Sequence, residues 1–513
     1  MFTLHLGRPP HHKTISVHHA WLLIPIGLAM AAVLGLFQGT FQSTMLAAAL
    51  VGLGLGVVWL GLVVLKPEAA LLLYTVLAVN LNSANLPLPL GGMRVSPDIA
   101  LVSLLIVGVA LRVLATRQSL VRLQISAPYL IFLAIPVITL LWTPTLVESL
   151  RGLFRFVGYY ALMWLIVDTI RTKAQVRHMV LAIILSTLLP IASGLYQAVT
   201  GSGQFIWAGG GFNRIYGFAG GPFTLAFYLV LVMPLVLIFF LAQREQDGQA
   251  ADGVSGNRPG DYEQTGSNRQ ESSATDAGQG WRFNRVGLGL LLGLIGVALV
   301  LTFIRGAWIA LVISLLALGL LRGSLRFRQL LFTIPAATGV VLLTFTPALQ
   351  RLQQAADPSS TFFGRVEVWK LALDWLLASP LNLLAGVGMK AFEYYYILLA
   401  GPTTAGLYWR REAFLLGNRP HNELLGFMLD VGLIGTVALL AVFFILIRLA
   451  VAIYRRSQDH ELRLVALAFL VGFVGLVVGA MGDNVFSQPS VAVYFWIMAG
   501  LIMAIDRHLM RDA

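Results

Sequence analysis

Apolar stretches near twenty residues long recur along the whole chain. They lie at 20–38, 44–65, 68–81, 97–115, 125–142, 150–169, 178–199, 222–242, 285–303, 306–321, 329–346, 423–452, 464–481 and 490–506. A helix rises about 1.5 Å per residue, so about 20 apolar residues cross the hydrocarbon core of a bilayer. The pattern therefore predicts an all-α polytopic membrane protein of about fourteen transmembrane helices. The weakest stretch is 68–81, which Asn80, Asn82 and Asn85 interrupt. Membrane β-barrels show alternating segments of about ten residues instead.

The breaks between these stretches suggest the organisation. Residues 1–199 read as N-terminal transmembrane helices, and 200–242 as an extracytoplasmic loop and helix. Residues 243–284 are polar, rich in Gly, Ser, Gln and Asp and nearly free of aliphatics. Such a segment buries too little apolar surface to offset its ordering entropy, so it reads as a disordered cytoplasmic linker. Transmembrane helices follow at 285–346, a large extracytoplasmic helical loop at 347–422, and C-terminal transmembrane helices at 423–513. In the large loop Arg365, Trp369 and Leu373 share a helix face at i, i+4 spacing, and Ser379-Pro380 ends that helix. No period of 20–50 residues marks a repeat protein. The pairs Gly52/Gly56 and Gly289/Gly293 read as helix contacts.

Composition agrees. Only 11% of the 513 residues are charged, and mean hydropathy is +0.81. The net charge of +12 suggests either nucleic acid or the excess of basic residues in cytoplasmic loops. Position decides. Alternate connections hold Arg112, Arg117 and Arg122; Arg171, Lys173 and Arg177; Arg322, Arg326 and Arg328; and Arg455, Arg456 and Arg463. Fourteen spans put all of these on one side with both termini, which makes that side cytoplasmic and leaves nucleic acid without a role. The first 19 residues carry Arg8, Lys13 and five histidines but no small-residue cleavage site follows, so the first helix reads as retained. Cysteine is absent, which excludes disulfides and thiolate metal sites.

A few basic residues face the other way, against the charge bias. Arg214 lies in GFNRIYGFAGGP, Arg305 in TFIRGAW, and Arg365 in FFGRVEVW. Arg410, Arg411 and Arg419 approach His421 in GNRPHNELL. Interfacial snorkelling is one reading and suits Arg410 and Arg411 best. Arg305, squeezed between two apolar spans, is costly there unless paired or hydrated. The other reading is an anionic ligand such as a diphosphate, because guanidinium forks hold phosphate oxygens and stay charged. Arg151 and Arg155 sit one turn apart at the outer start of a span. They either extend this basic surface or pair with Asp430 or Asp483. His421 precedes a long apolar helix; it is structural or takes a proton from a sugar hydroxyl. Glu423 reads as a helix-start charge, and Asp430, two turns deeper, wants an arginine partner. The outer segments contain neither an Asp-x-Asp pair nor histidines at metal spacing, so no metal is expected. A Walker loop and a Gly-x-Ser-x-Gly elbow are also missing, and no cofactor is implied.

Four segments together carry a resemblance: FNRIYGFAGGPFTLAFYL, TFIRGAWIALVISLLALGLL, GRVEVWKLALDWLLASPLNLLAGVGMKAF and HNELLGFMLDVGLIG. In order and spacing over about 200–440 they resemble the O-antigen ligase and polymerase superfamily of bacterial envelopes. The chain has Gly220-Gly221-Pro222 where that family often has Pro-Asn, and Asp430 where it often has Glu. The resemblance implies a metal-independent, inverting membrane glycosyltransferase of the bacterial inner membrane, with its active site on the extracytoplasmic face. The implied donor is an undecaprenyl-diphosphate-linked glycan. The implied acceptor is a saccharide hydroxyl on a lipid-linked sugar, a growing polysaccharide or, in some members, a protein. Arg305 and Arg365, with His421, take the catalytic places, and Arg214 joins the diphosphate contacts. Arg151, Arg155, Arg410, Arg411, Arg419 and Asp430 are further substrate-binding candidates, and membrane lipids surround the whole. A lipid-linked oligosaccharide flippase is the alternative. It would line a central cavity with charge and show two similar halves.

Overall fold

The computed structural model describes residues 54–80, 97–117, 121–203, 205–206, 213–255, 281, 283–322, 329, 361–392 and 419–510. The expected spans at 20–38 and 329–346 lie outside these residues, apart from Gln329. Residues 44–53 of the span at 44–65 also lie outside; the described part of every other expected span falls on helix, with 178–199 divided between two. The first seven helices are α1 (Gly54–Leu65), α2 (Pro67–Leu77), α3 (Pro97–Thr116), α4 (Ser126–Thr139), α5 (Leu146–Thr169), α6 (Lys173–Leu185) and α7 (Leu188–Thr200). A two-stranded antiparallel ribbon follows, β1 (Phe205–Ile206) and β2 (Asn213–Arg214). Then come α8 (Pro222–Ser255), α9 (Arg285–Leu301), α10 (Arg305–Arg322), α11 (Thr361–Leu377) and α12 (Pro380–Ala385). The last three are α13 (Glu423–Arg456), α14 (His460–Ala480) and α15 (Pro489–His508).

Among the described residues, seven helices are long and apolar enough to cross a membrane, and five apolar helices are shorter. The chain is a membrane-embedded helical bundle. Leu55, Leu114, Leu141, Leu290 and Leu320 stand open on its surface with many other large apolar side chains. A water-facing monomer does not expose apolar area on that scale. The centre is different. Every residue from Leu225 to Val232 in α8 is buried, as is every residue from Ser490 to Ile505 in α15. A helix apolar on all sides belongs inside.

Close approach explains the centre. Gly472, Gly475 and Gly479 form one face of α14 against α8 and α10. A Cβ at Gly479 would come within 2.3 Å of the Phe227 ring, and one at Gly472 within 3.0 Å of the Leu231 carbonyl. Helices in lipid associate through such small-residue faces. Of the glycines picked out in the sequence, Gly289 does meet Phe240, but Gly293 faces open space.

The two ends of the bundle differ. At one end Asp168 bonds Arg112 at 3.0 Å and Arg171 at 3.4 Å. Lys173 there meets Asp459 at 2.6 Å and Glu461 at 2.8 Å. Arg112, Arg171 and Lys173, which the sequence grouped on one side, thus share an end. The α8 helix runs on to Ser255, inside the stretch read as a linker. At the far end of that stretch Trp281 is buried, stacks on Phe239 and donates its N–H to Glu461 at 3.1 Å.

At the other end α13 is broken. Gly432 has φ of +64° and interrupts the helix. The released Leu429 carbonyl accepts the Val387 N–H at 2.8 Å, and Asp430 accepts the Lys390 N–H at 2.8 Å. The loop after α12 thereby docks into the break. A Cβ on Gly432 would lie 2.3 Å from the Leu384 carbonyl oxygen, with a backbone that L-residues avoid. Gly432→Ala should therefore destabilise the protein by about 2 kcal/mol or more. The check is the thermal midpoint in detergent, read by loss of the monodisperse peak; an unchanged midpoint would contradict the broken-helix geometry.

Candidate functional site

The short segment between α14 and α15 is the centre of the site. It is held from below by Glu423, the first residue of α13. Glu423 is buried, and its carboxylate accepts the Phe486 N–H at 2.8 Å and the Ser487 hydroxyl at 2.5 Å. It is therefore more than the helix-start charge expected from sequence. Asn422 caps α13 by accepting the Leu425 N–H at 3.1 Å. Thr224 on α8 donates to the Gln488 side chain at 3.1 Å, which fixes the other end of the segment.

On this support sit His421 and Asp483. The His421 Nδ1 lies 3.3 Å from Asp483 Oδ1, and the Asn484 N–H donates to the same oxygen at 2.8 Å. With Nδ1 as the donor, the carboxylate fixes the ring tautomer and leaves Nε2 as an acceptor. The His421 backbone has φ of +48°, an uncommon conformation for a side chain that carries a Cβ. Burial works to raise the Asp483 carboxyl. The His421 hydrogen bond, the charges of His421 and Arg365, and the Asn484 N–H outweigh it and hold Asp483 below the usual carboxylate range.

Arg365 reaches the segment from α11 and donates to the Gly482 carbonyl at 2.5 Å. One turn on, the Trp369 indole N–H donates to the Pro420 carbonyl, the residue before His421. Arg365 and Trp369 do share a working face, whereas Leu373 is 45% exposed. Burial pulls the Arg365 guanidinium below its ordinary value, and Asp483 opposes this. Arg305, at the start of α10, is close enough to Arg365 for the two like charges to act on each other. Arg214 is 1% exposed on β2. Its neighbour Ile215 donates to the Leu301 carbonyl at 3.3 Å, so the Arg214 strand borders the turn that delivers Arg305.

The remaining candidates spread out. Arg419 and Asp430 line one shallow crevice with Lys390 and Phe392, on the flank of His421. Arg151 pairs neither with Asp430 nor with Asp483. Its partner is Glu148, one turn back on α5, and Glu148 also lies 3.7 Å from the Lys390 ammonium. A neighbour on the same helix wins because it needs no ordering of a distant segment. Arg155 lines a different crevice, beside Tyr74 and Ser490. Arg410 and Arg411 lie outside the described residues. Among the described residues no group of three or more His, Cys, Asp or Glu stands together as a metal site.

Two guanidiniums near enough for their charges to act on each other suit an anion. A family model described as O-antigen ligase matches residues 288–440. That match supports the O-antigen ligase and polymerase superfamily. No curated protein matches the chain. The O-antigen ligase match takes in Arg305, Arg365, Arg419, His421 and Asp430; Arg214 and Asp483 fall outside it. Sequence reasoning considered Asp483 only as a partner for arginines and missed its bond to His421. The signal was present in MGDN, an acidic residue ending an apolar run.

The depressed Asp483 pKa has a consequence for stability. Such a group contributes stability above its unfolded value of about 3.9, and this is lost as pH falls through the lower folded value. Asp483→Asn should lower the melting midpoint at pH 7 and flatten its fall below about pH 4. Superimposable midpoint–pH curves for the two proteins would mean that Asp483 is not held by His421 and Arg365.

Proposed function

We propose that the chain is a membrane glycosyltransferase that moves a glycan from a polyprenyl-diphosphate donor to a saccharide hydroxyl, as an O-antigen ligase or polysaccharide polymerase. The observation that carries this reading is the convergence of Arg365 and the His421–Asp483 pair on one segment, with Arg305 near enough to Arg365 for their charges to act on each other.

In this reading the donor diphosphate lies against Arg305 and Arg365, with Arg214 behind them. The acceptor hydroxyl oxygen attacks the anomeric carbon as its proton passes to His421 Nε2. The bond from that carbon to the diphosphate oxygen breaks, and the diphosphate leaves with the electron pair. The arginines stabilise the charge that develops on the leaving group. Attack opposite the leaving group inverts the anomeric centre. Asp483 stabilises the imidazolium that forms. No nucleotide is consumed in this step. In this reading the candidate site faces the extracytoplasmic side and the ion-paired end faces the cytoplasm, in line with the charge bias.

The flippase alternative gains nothing from the family match, and Arg305 and Arg365 gather at one end of the bundle.

The experiment is transfer from a polyprenyl-diphosphate glycan in liposomes, with EDTA present. Wild type should release polyprenyl diphosphate and place glycan on a saccharide acceptor. Arg305→Ala, Arg365→Ala and His421→Ala should each lose about 100-fold or more, the scale of a lost oxyanion contact or general base. Full activity in the two arginine variants would sink the arrangement. A ladder of products would mark a polymerase, and one discrete product a ligase.

A further inference from the structure

The crevice beside Arg155 is built and has no part in the transfer reading. It lies between α2, α3, α5 and α15 and is open to the surface. Three contacts fix its walls. Gly158 on α5 lets Val102 of α3 approach so closely that a Cβ there would clash with the valine side chain. The Tyr494 hydroxyl on α15 donates to the Thr75 carbonyl on α2. The Tyr159 ring stacks on Trp496, which joins α5 to α15.

The lining holds one cation, Arg155, and no carboxylate. Apolar Val102 and Val493 and the rings of Tyr74 and Tyr159 make up much of the rest. Ser490 is 1% exposed and its hydroxyl, buried at the crevice, has no hydrogen-bond partner. A buried hydroxyl left unmade costs free energy, so a site that leaves one in place calls for a ligand. Ser490 is the second residue of α15, after Pro489, and no side chain caps that helix start. Free N–H groups and the helix dipole at such a start favour an anion. One guanidinium, one hydroxyl and a helix start, over an apolar floor, fit a phosphate that carries a hydrocarbon chain.

We propose that this crevice binds the phosphate of a membrane lipid, with the phosphate oxygens on Arg155 and Ser490 and the first carbons of the lipid against Val102 and Val493. The site is separate from the cleft at Arg305 and His421 and does not depend on the glycosyltransferase reading.

The test titrates the full chain in detergent with dioctanoyl phosphatidic acid, dioctanoylglycerol or inorganic phosphate and follows the thermal midpoint. Wild type should show saturable stabilisation by phosphatidic acid and none by dioctanoylglycerol. Arg155→Gln should weaken it by about tenfold or more, Ser490→Ala by about three- to tenfold, and Arg155→Lys by less than Arg155→Gln, because a point charge keeps attraction and loses the fork. Ser490→Ala keeps the test open should Arg155→Gln fail to fold. The titration should persist in Arg305→Ala, which separates this site from the cleft. Equal affinity in Arg155→Gln and Ser490→Ala would overturn the proposal. So would equal stabilisation by dioctanoylglycerol, or loss of binding in Arg305→Ala alone. Inorganic phosphate binding as tightly as the lipid would overturn the lipid as occupant.

Discussion

Both oxygens of the buried Glu423 carboxylate are committed to the segment between α14 and α15, and the candidate site hangs from that segment. A carboxylate out of water is costly unless its lone pairs are met, and here a backbone N–H and a hydroxyl meet them. The bond couples the start of α13 to the loop that carries Gly482 and Asp483. His421 stands two residues before Glu423, and Asp483 three before Phe486. Fixing Glu423 on Phe486 therefore fixes the histidine on the aspartate, and through Gly482 it fixes the landing point of Arg365. One buried contact sets the mutual position of groups drawn from α11, the start of α13 and the loop between α14 and α15.

The two ends of the bundle treat charge differently. At the Asp168 end, cations and carboxylates satisfy each other at 2.6 to 3.4 Å. At the other end Arg305 and Arg365 lie near enough for their like charges to act on each other, Glu423 holds the segment, and Asp483 meets both His421 and the charge of Arg365. Networks of the first kind hold helices together and do little else. The second arrangement accepts like-charge repulsion in a half-buried place, a cost that an incoming anion removes.

The helices were legible because lipid-facing segments obey one strict rule: a long apolar run with its backbone satisfied internally. Every expected span within the described residues lands on a helix. Shorter elements escaped. The break at Gly432 sits inside one long expected span, and only the docking of the 386–391 loop reveals it. The site was partly legible. Arg305, Arg365 and His421 stood out because charge at an outer boundary runs against the usual bias; the structure brings Arg365 and His421 to one segment and Arg305 within reach of the Arg365 charge. What could not be read was which acid serves which base. Arg151 found Glu148 three residues away, while His421 found Asp483 sixty-two residues on. Partner choice across that distance is set by helix contacts such as Gly479 on Phe227, which no local pattern encodes.

Backbone strain gives an independent mark of the same place. Four described residues other than glycine have positive φ: Arg117, Phe303, Lys390 and His421. Arg117 ends α3 at the Asp168 end of the bundle. The other three surround the site. Phe303 turns the chain between α9 and α10 and so delivers Arg305, and Lys390 gives its N–H to Asp430. His421 carries the candidate base. Each such residue costs about 1 to 3 kcal/mol and persists only where its surroundings over-determine it. Fold stability alone would remove them, since glycine is available at little cost in a turn. Their retention at the turns that aim Arg305, Asp430 and His421 is what a site selected for geometry would show.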